Sequence, residues 1–133
     1  MKKVIPILLV LFILLTSTCF AAYEPDPNRW IWISSDKDKV NYFIDIETVQ
    51  YSNNGDTVNF WVCAVESKKS FHSFQNAELS YTNRTITLLY FADYKDKKHK
   101  PIASRAYKIH EQTPEPIVPN SIAETFYRYF FPK

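Results

Sequence analysis

Glycine is almost missing from this chain: Gly55 is the single one in 133 residues. A P-loop, a dinucleotide fingerprint and a nucleophile elbow all need glycines where backbone nears a ligand or turns sharply. None of the three can be assembled here. Cysteine is nearly as scarce, with only Cys19 and Cys63. The three histidines are His72, His99 and His110, and none stands at a metal-ligand spacing from a Cys, Asp or Glu. No metal and no cofactor is expected. Long apolar runs are missing too. The run at residues 4–15 falls short of the roughly 20 residues of a bilayer span. At roughly 100–200 residues per domain, the length allows one domain.

The first residues read as an address. Lys2 and Lys3 precede the apolar run, and Thr16-Ser17-Thr18-Cys19-Phe20-Ala21-Ala22 follows it. Charged, then apolar, then small is the order of a secretory signal peptide. Cleavage after Ala21 puts Cys19 and Ala21 at the two small-residue positions, whereas cleavage after Ala22 would put bulky Phe20 there. The expected division is a signal peptide at residues 1–21 and one domain at 22–133. An uncleaved anchor and a lipidated Cys19 are the alternatives. Thr16 and Thr18 stand where a lipoprotein carries an aliphatic and a small residue, which favours ordinary cleavage. No transmembrane segment is expected after processing, and the product is exported to the periplasm, the cell surface or the medium.

This address also accounts for the charge. Of the formal +2, Lys2 and Lys3 are the whole excess, and residues 22–133 carry 14 Lys+Arg against 14 Asp+Glu. A neutral domain lacks the footprint of a nucleic-acid binder, so no nucleic-acid partner is expected. Cys63, in the apolar stretch Phe60-Trp61-Val62-Cys63-Ala64-Val65, cannot form an intrachain disulfide once Cys19 is removed. It reads as a buried structural thiol.

What the chain has in abundance is aromatic residues, 17% of the total, far too many for a disordered protein. Trp30-Ile31-Trp32-Ile33 has the aromatic and β-branched make-up of a strand. Residues 41–46 read as a second strand, with residues 46–49 a short continuation or one helical turn. Asn53-Asn54-Gly55-Asp56 is the strongest hairpin signal, since Asn-Gly supplies positive φ angles. Residues 57–66 form the longest clear strand. Both its faces are largely apolar, which predicts a central strand covered on both sides. Residues 67–76 are polar around Phe71 and Phe74 and read as a loop or irregular edge, with a short strand at 77–81. Residues 85–94 alternate, Ile86, Leu88, Tyr90, Ala92 and Tyr94 falling on one face. Residues 95–100 read as a charged hairpin tip and 102–107 as the returning strand. Pro114, Pro116 and Pro119 mark an extended crossing segment. Ser121-Ile122-Ala123-Glu124 is a capping box, opening a helix of about ten residues by the spacing of Ile122, Phe126, Tyr129 and Phe130.

The expected fold is α+β: an antiparallel meander of five to six strands with one C-terminal helix packed on one face. One helix covers one face only. Trp30 and Trp32 point away from Ile31 and Ile33, so a second apolar face needs cover. Three covers are available: residues 23–28, the segment at 71–74, or a second subunit in a homodimer.

Chemistry-bearing patterns are sparse. Asp45 and Glu47, two apart in an extended stretch, share a face and form the one candidate carboxylate pair. Acid/base work also needs a cleft and tuned pKa values, and a small hydrolase is the least favoured reading. The distinctive charged feature is Lys95-Asp96-Lys97-Lys98-His99-Lys100. Lys95, Lys97, Lys98, His99 and Lys100 make a local positive patch that could draw an anionic polymer or surface. The plain alternative is that lysine-rich tips keep hairpins soluble and block edge pairing.

The order of segments resembles the surface-adhesin protein E family of small bacterial envelope proteins. The shared features are Trp30-Ile31-Trp32-Ile33, then Tyr42-Phe43-Ile44-Asp45-Ile46-Glu47-Thr48-Val49, then Val58-Asn59-Phe60-Trp61-Val62. Arg84-Thr85-Ile86-Thr87-Leu88-Leu89, the hairpin at 94–100 and Pro116-Ile117-Val118-Pro119-Asn120-Ser121-Ile122-Ala123-Glu124 follow. Many members carry one cysteine before the Arg-Thr strand and another at the end of the helix. Here those regions read Leu79-Ser80-Tyr81 and Tyr129-Phe130-Phe131, so the helix must dock by packing alone. The resemblance implies an antiparallel sheet with a packed helix, export to the envelope, and binding of host or matrix proteins. The expected function is a non-enzymatic, adhesion-like binding domain of the cell envelope with a protein or polysaccharide ligand. A periplasmic accessory or inhibitor-type domain acting on another envelope protein is the alternative.

Overall fold

The computed structural model describes residues 23–96 and 98–133. Residues 1–22, which hold the expected signal peptide and Cys19, lie outside the described residues, as does Lys97. Among the described residues there are eight strands and one α-helix: β1 (Trp30–Ser35), β2 (Asn41–Asp45), β3 (Gln50–Tyr51), β4 (Thr57–Glu66), β5 (Phe71–Ser80), β6 (Thr85–Lys95), β7 (Ala103–Ala106), β8 (Glu115–Pro116) and α1 (Ile122–Phe130). The sheet runs β1-β2-β4-β5-β6-β7, with β3 added to β4 and β8 to β6. Every pairing is antiparallel. The architecture is the α+β meander with a C-terminal helix that the sequence predicts.

The side-chain alternation of β4 builds the two faces. Val58, Phe60, Val62 and Ala64 are buried on the helix side, while Cys63 and Val65 are buried on the other. The helix-side core joins Ile44, Val58, Phe60, Val62, Ala77 and Leu79 to Phe126, Tyr127 and Phe130. Phe60 is its hub, with ring centroids 5.6 Å from Phe126 and 4.6 Å from Phe130. Nine residues are too few to hold a helix alone in water, so α1 exists because this face holds it. Ser121 caps it by accepting from the Glu124 amide at 3.2 Å. The Glu124 carboxylate accepts from the Asn120 amide at 2.8 Å, one residue before the position a capping box uses.

The helix face corrects one expectation. Tyr127 is buried and Tyr129 is exposed, the reverse of the spacing argument. At about 100° per residue, the two lie on opposite flanks of the Phe126–Phe130 ridge. Tertiary partners decide between them: Tyr127 donates its hydroxyl to the Tyr81 carbonyl at 3.1 Å and lies under the Arg84 guanidinium at 4.7 Å. Phe131 adds a contact to Tyr81 at 5.2 Å. Aromatic packing thus joins the two regions where the resemblance places cysteines.

The segment at 67–76 is a loop only in its first four residues and is not a sheet edge. Residues Ser67–Lys69 make one 3-10 turn, and Phe71–Ser80 is a ten-residue strand paired along its length to β4 and β6. Its polar side chains are absorbed by hydrogen bonds: His72 to Asp96 at 2.9 Å, and Asn76 to Asn59 and to the Phe60 carbonyl. Burial between two partners overrides the low strand propensity.

β6 departs from simple alternation as well. The register with β5 shifts between Asn76 and Ala77, where Asn76 faces Tyr90 and Ala77 faces Leu88. The extra residue, Leu89, is a β-bulge. Ile86 and Leu88 therefore face the helix, while Tyr90, Ala92 and Tyr94 face the opposite side.

Candidate functional site

Opposite the helix, the sheet carries a concentration of rings. Trp30 from β1, Trp61 from β4, Phe74 from β5, and Tyr90 and Tyr94 from β6 share this face with Phe43 and His72. The β6 bulge brings the two tyrosines onto it. Residues 23–29 cross one end of the face and fix it. The Tyr23 ring stacks on His72 at 4.0 Å, and His72 stacks on Tyr94 at 5.2 Å. Asp96 ties the stack down, accepting from the Tyr23 amide at 3.1 Å and bonding His72 Nδ1 at 2.9 Å. The N-terminal segment is thus one cover of the second face.

The segment leaves an open cleft of about 430 Å³ beside it, floored by Trp61, Phe74 and Tyr90 and walled by Trp30, Arg29 and Asp45. The rings meet at angles: Trp61 and Tyr90 lie 5.5 Å apart at 58°, Trp30 and Phe74 5.6 Å apart at 46°. The volume lies within the roughly 300–1,000 Å³ of small-ligand clefts, which are mostly apolar with a few placed polar groups.

Arg29 and Asp45 supply the polar wall. Arg29 Nε donates to Asp45 Oδ1 at 2.9 Å and its terminal nitrogen to Oδ2 at 2.6 Å, a bidentate pair. The Asp45 side chain is 1% exposed and that of Arg29 is 45% exposed. Burial works to raise the Asp45 carboxyl, but Arg29 and the Glu47 amide together hold it below its usual range. The same contacts, led by the Asp45 hydrogen bond, push Arg29 further up. Glu47 also reaches Arg29, at 3.6 Å. The two carboxylates of the sequence argument do converge, as a clamp on a guanidinium.

Cys63 is buried on this face, and burial, with the Asp96 charge adding, pushes its thiol up to about 12. A thiol held protonated is a poor nucleophile.

The basic tip lies at the end of the face nearest Asp96. Lys95 ends β6, and Lys98, His99 and Lys100 follow in the turn; all four are exposed. Lys97 is outside the described residues. The turn closes with the Lys98 amide donating to the Lys95 carbonyl at 3.1 Å. Asp96, within the tip sequence, turns inward to the His72 stack.

Sequence reasoning offered residues 23–28 and 71–74 as covers of the second face, and Tyr23 and His72 lie there; it missed Arg29 as a member of the face. The signal available was the doubly apolar β4, which demanded a second covered face; nothing in the order of residues tied Arg29 to Asp45. Among the described residues no group of three or more His, Cys, Asp or Glu is placed to hold a metal ion. No helix among them is long and apolar enough to cross a membrane. Comparison with family models, with curated proteins and with solved structures finds no match to this chain.

Proposed function

We propose that the chain is an exported, non-enzymatic binding domain of the bacterial cell envelope, adhesion-like, that holds a protein or polysaccharide partner. The observation that carries this reading is the open aromatic cleft on the sheet face opposite α1. Six rings line or border it, and its one carboxylate is neutralised by Arg29 rather than poised for proton transfer. Half-buried Trp and Tyr give large contact area at low entropic cost, which suits recognition. The resemblance to the surface-adhesin protein E family points the same way. The basic tip would add electrostatic attraction to an anionic partner.

The test is retention on plates coated with matrix proteins and polysaccharides. The account expects retention that Trp61→Ala abolishes, with no turnover of a hydrolase substrate panel. Hydrolysis of any panel member, or equal retention of Trp61→Ala, contradicts it. On a heparin column, alanine at Lys95, Lys98 and Lys100 should bring elution to lower salt; unchanged elution removes the tip from the site. Protease shaving of intact cells separates surface display from the alternative, a periplasmic domain that binds another envelope protein. A homodimer through the same face is the competing use of it, and a monomeric sedimentation coefficient at high concentration counts against that.

A further inference from the structure

We infer that the cleft takes a neutral glycan chain, one pyranose ring stacked on the Trp61 and Tyr90 pair with its hydroxyls on Arg29. The inference rests on the binding reading above and names its ligand.

The rings provide the first reason. A pyranose in chair form presents a patch of weakly polarised C–H groups, which the electron-rich face of an aromatic ring attracts. Trp61 and Tyr90, 5.5 Å apart and inclined at 58°, touch each other, so no ring fits between them; together they form a bent platform for the apolar face of a sugar ring.

Arg29 is the second. A guanidinium carries five N–H donors. Asp45 takes one from Nε and one from a terminal nitrogen, which leaves three on a half-exposed side chain at the cleft wall. Its backbone is fixed as well: the Arg29 amide donates to the Asp26 carbonyl at 3.1 Å, and the Arg29 carbonyl accepts from the Ile46 amide at 3.1 Å. A donor fork held in place before binding suits the oxygens of adjacent hydroxyls. On β4, two residues from Trp61 and on the same face, Asn59 forms a cyclic amide pair with Asn76 at 3.2 and 2.9 Å. Asn59 retains one N–H and one lone pair beyond that pair, a second point for hydroxyl contacts along an extended chain.

Charge selects against the other ligands of aromatic clefts. Arg29 is matched by Asp45 at 2.6 Å and approached by Glu47 at 3.6 Å, so the wall presents no net positive charge to hold a sulfated or uronic sugar inside the cleft. A quaternary ammonium would want the space over Trp30, where the Arg29 guanidinium already stands at 5.9 Å. An extended peptide cannot add a strand here, because β4 and β5 under the cleft are paired on both sides.

Calorimetric titration of the full chain with chitohexaose and cellohexaose tests this, beside a heparin hexasaccharide, choline and a proline-rich decapeptide. Saturable binding of at least one neutral hexasaccharide is expected. Trp61→Ala and Tyr90→Ala should each weaken it at least tenfold, and Arg29→Gln several-fold, while Tyr129→Ala, on the helix side of the sheet, leaves it unchanged. Far-UV circular dichroism identifies variants that stay folded, and Tyr90→Ala serves if Trp61→Ala does not. Binding of neither neutral sugar overturns the inference, as does an unchanged affinity in a folded cleft variant. If choline, the decapeptide or heparin binds instead and Trp61→Ala abolishes it, the sugar is wrong and the binding reading stands. If no probe binds and plate retention also ignores Trp61→Ala, both fail.

Discussion

Gly55 shows what one residue must do in a glycine-poor chain. It sits at φ +71°, in the turn joining β3 to β4, where its amide donates to the Ser52 carbonyl at 2.9 Å. Nothing lies within 4 Å of a Cβ added there, so Gly55→Ala meets no clash and costs only the left-handed backbone, about 1 kcal/mol. Urea unfolding should show that loss with an unchanged m-value. Lys39, Ser70, Arg84 and Asn120 also hold positive φ, so the described residues include four such positions without glycine. Asp45 is the other instructive residue. Its folded carboxyl binds a proton less readily than the unfolded one, so its stabilisation is complete above the ordinary carboxylate range. That stabilisation is lost as pH falls through the depressed folded value. Asp45→Asn should lower stability at neutral pH by about 2 kcal/mol, the scale of charge-assisted hydrogen bonds. The gap from the parent should narrow in urea melts repeated down to about pH 3.

At the scale of elements, α1 tests the packing account. Phe130→Ala removes a ring 4.6 Å from Phe60 and should cost about 3–5 kcal/mol in urea unfolding. Tyr129→Ala, on the exposed flank, should cost less than about 0.5 kcal/mol. Equal losses would return Tyr129 to the core face. These elements also show where sequence reading succeeds and stops. β4, the Asn-Gly hairpin and the Ser121 cap were legible because each is set by local chemistry: alternation, positive φ, an orphan amide. The first half of β5 was not, because its polar residues are paid for by Asp96 and Asn59, far away in sequence, whereas its end at 77–80 was read as a short strand. The Leu89 bulge was equally silent, yet it decides which face Tyr90 and Tyr94 join. Of the site, the apolar second face was foreseen from β4; the Arg29–Asp45 pair was not, since a contact between positions 29 and 45 depends on how β1 and β2 register.

For the whole molecule, the sheet has one face sealed by α1 and one only partly covered by residues 23–29. The central claim is that this second face seats a neutral sugar chain. The chain's three tryptophans divide it usefully. Trp30 and Trp61 line the cleft, while Trp32 is on β1 at the sheet edge, 55% exposed. The most direct measurement is the ¹⁵N-indole spectrum during titration with chitohexaose and then cellohexaose. The account predicts that one of these sugars moves the Trp30 and Trp61 signals together while Trp32 stays in place. Movement of Trp32 alone, or no movement with either sugar at saturation, would contradict it.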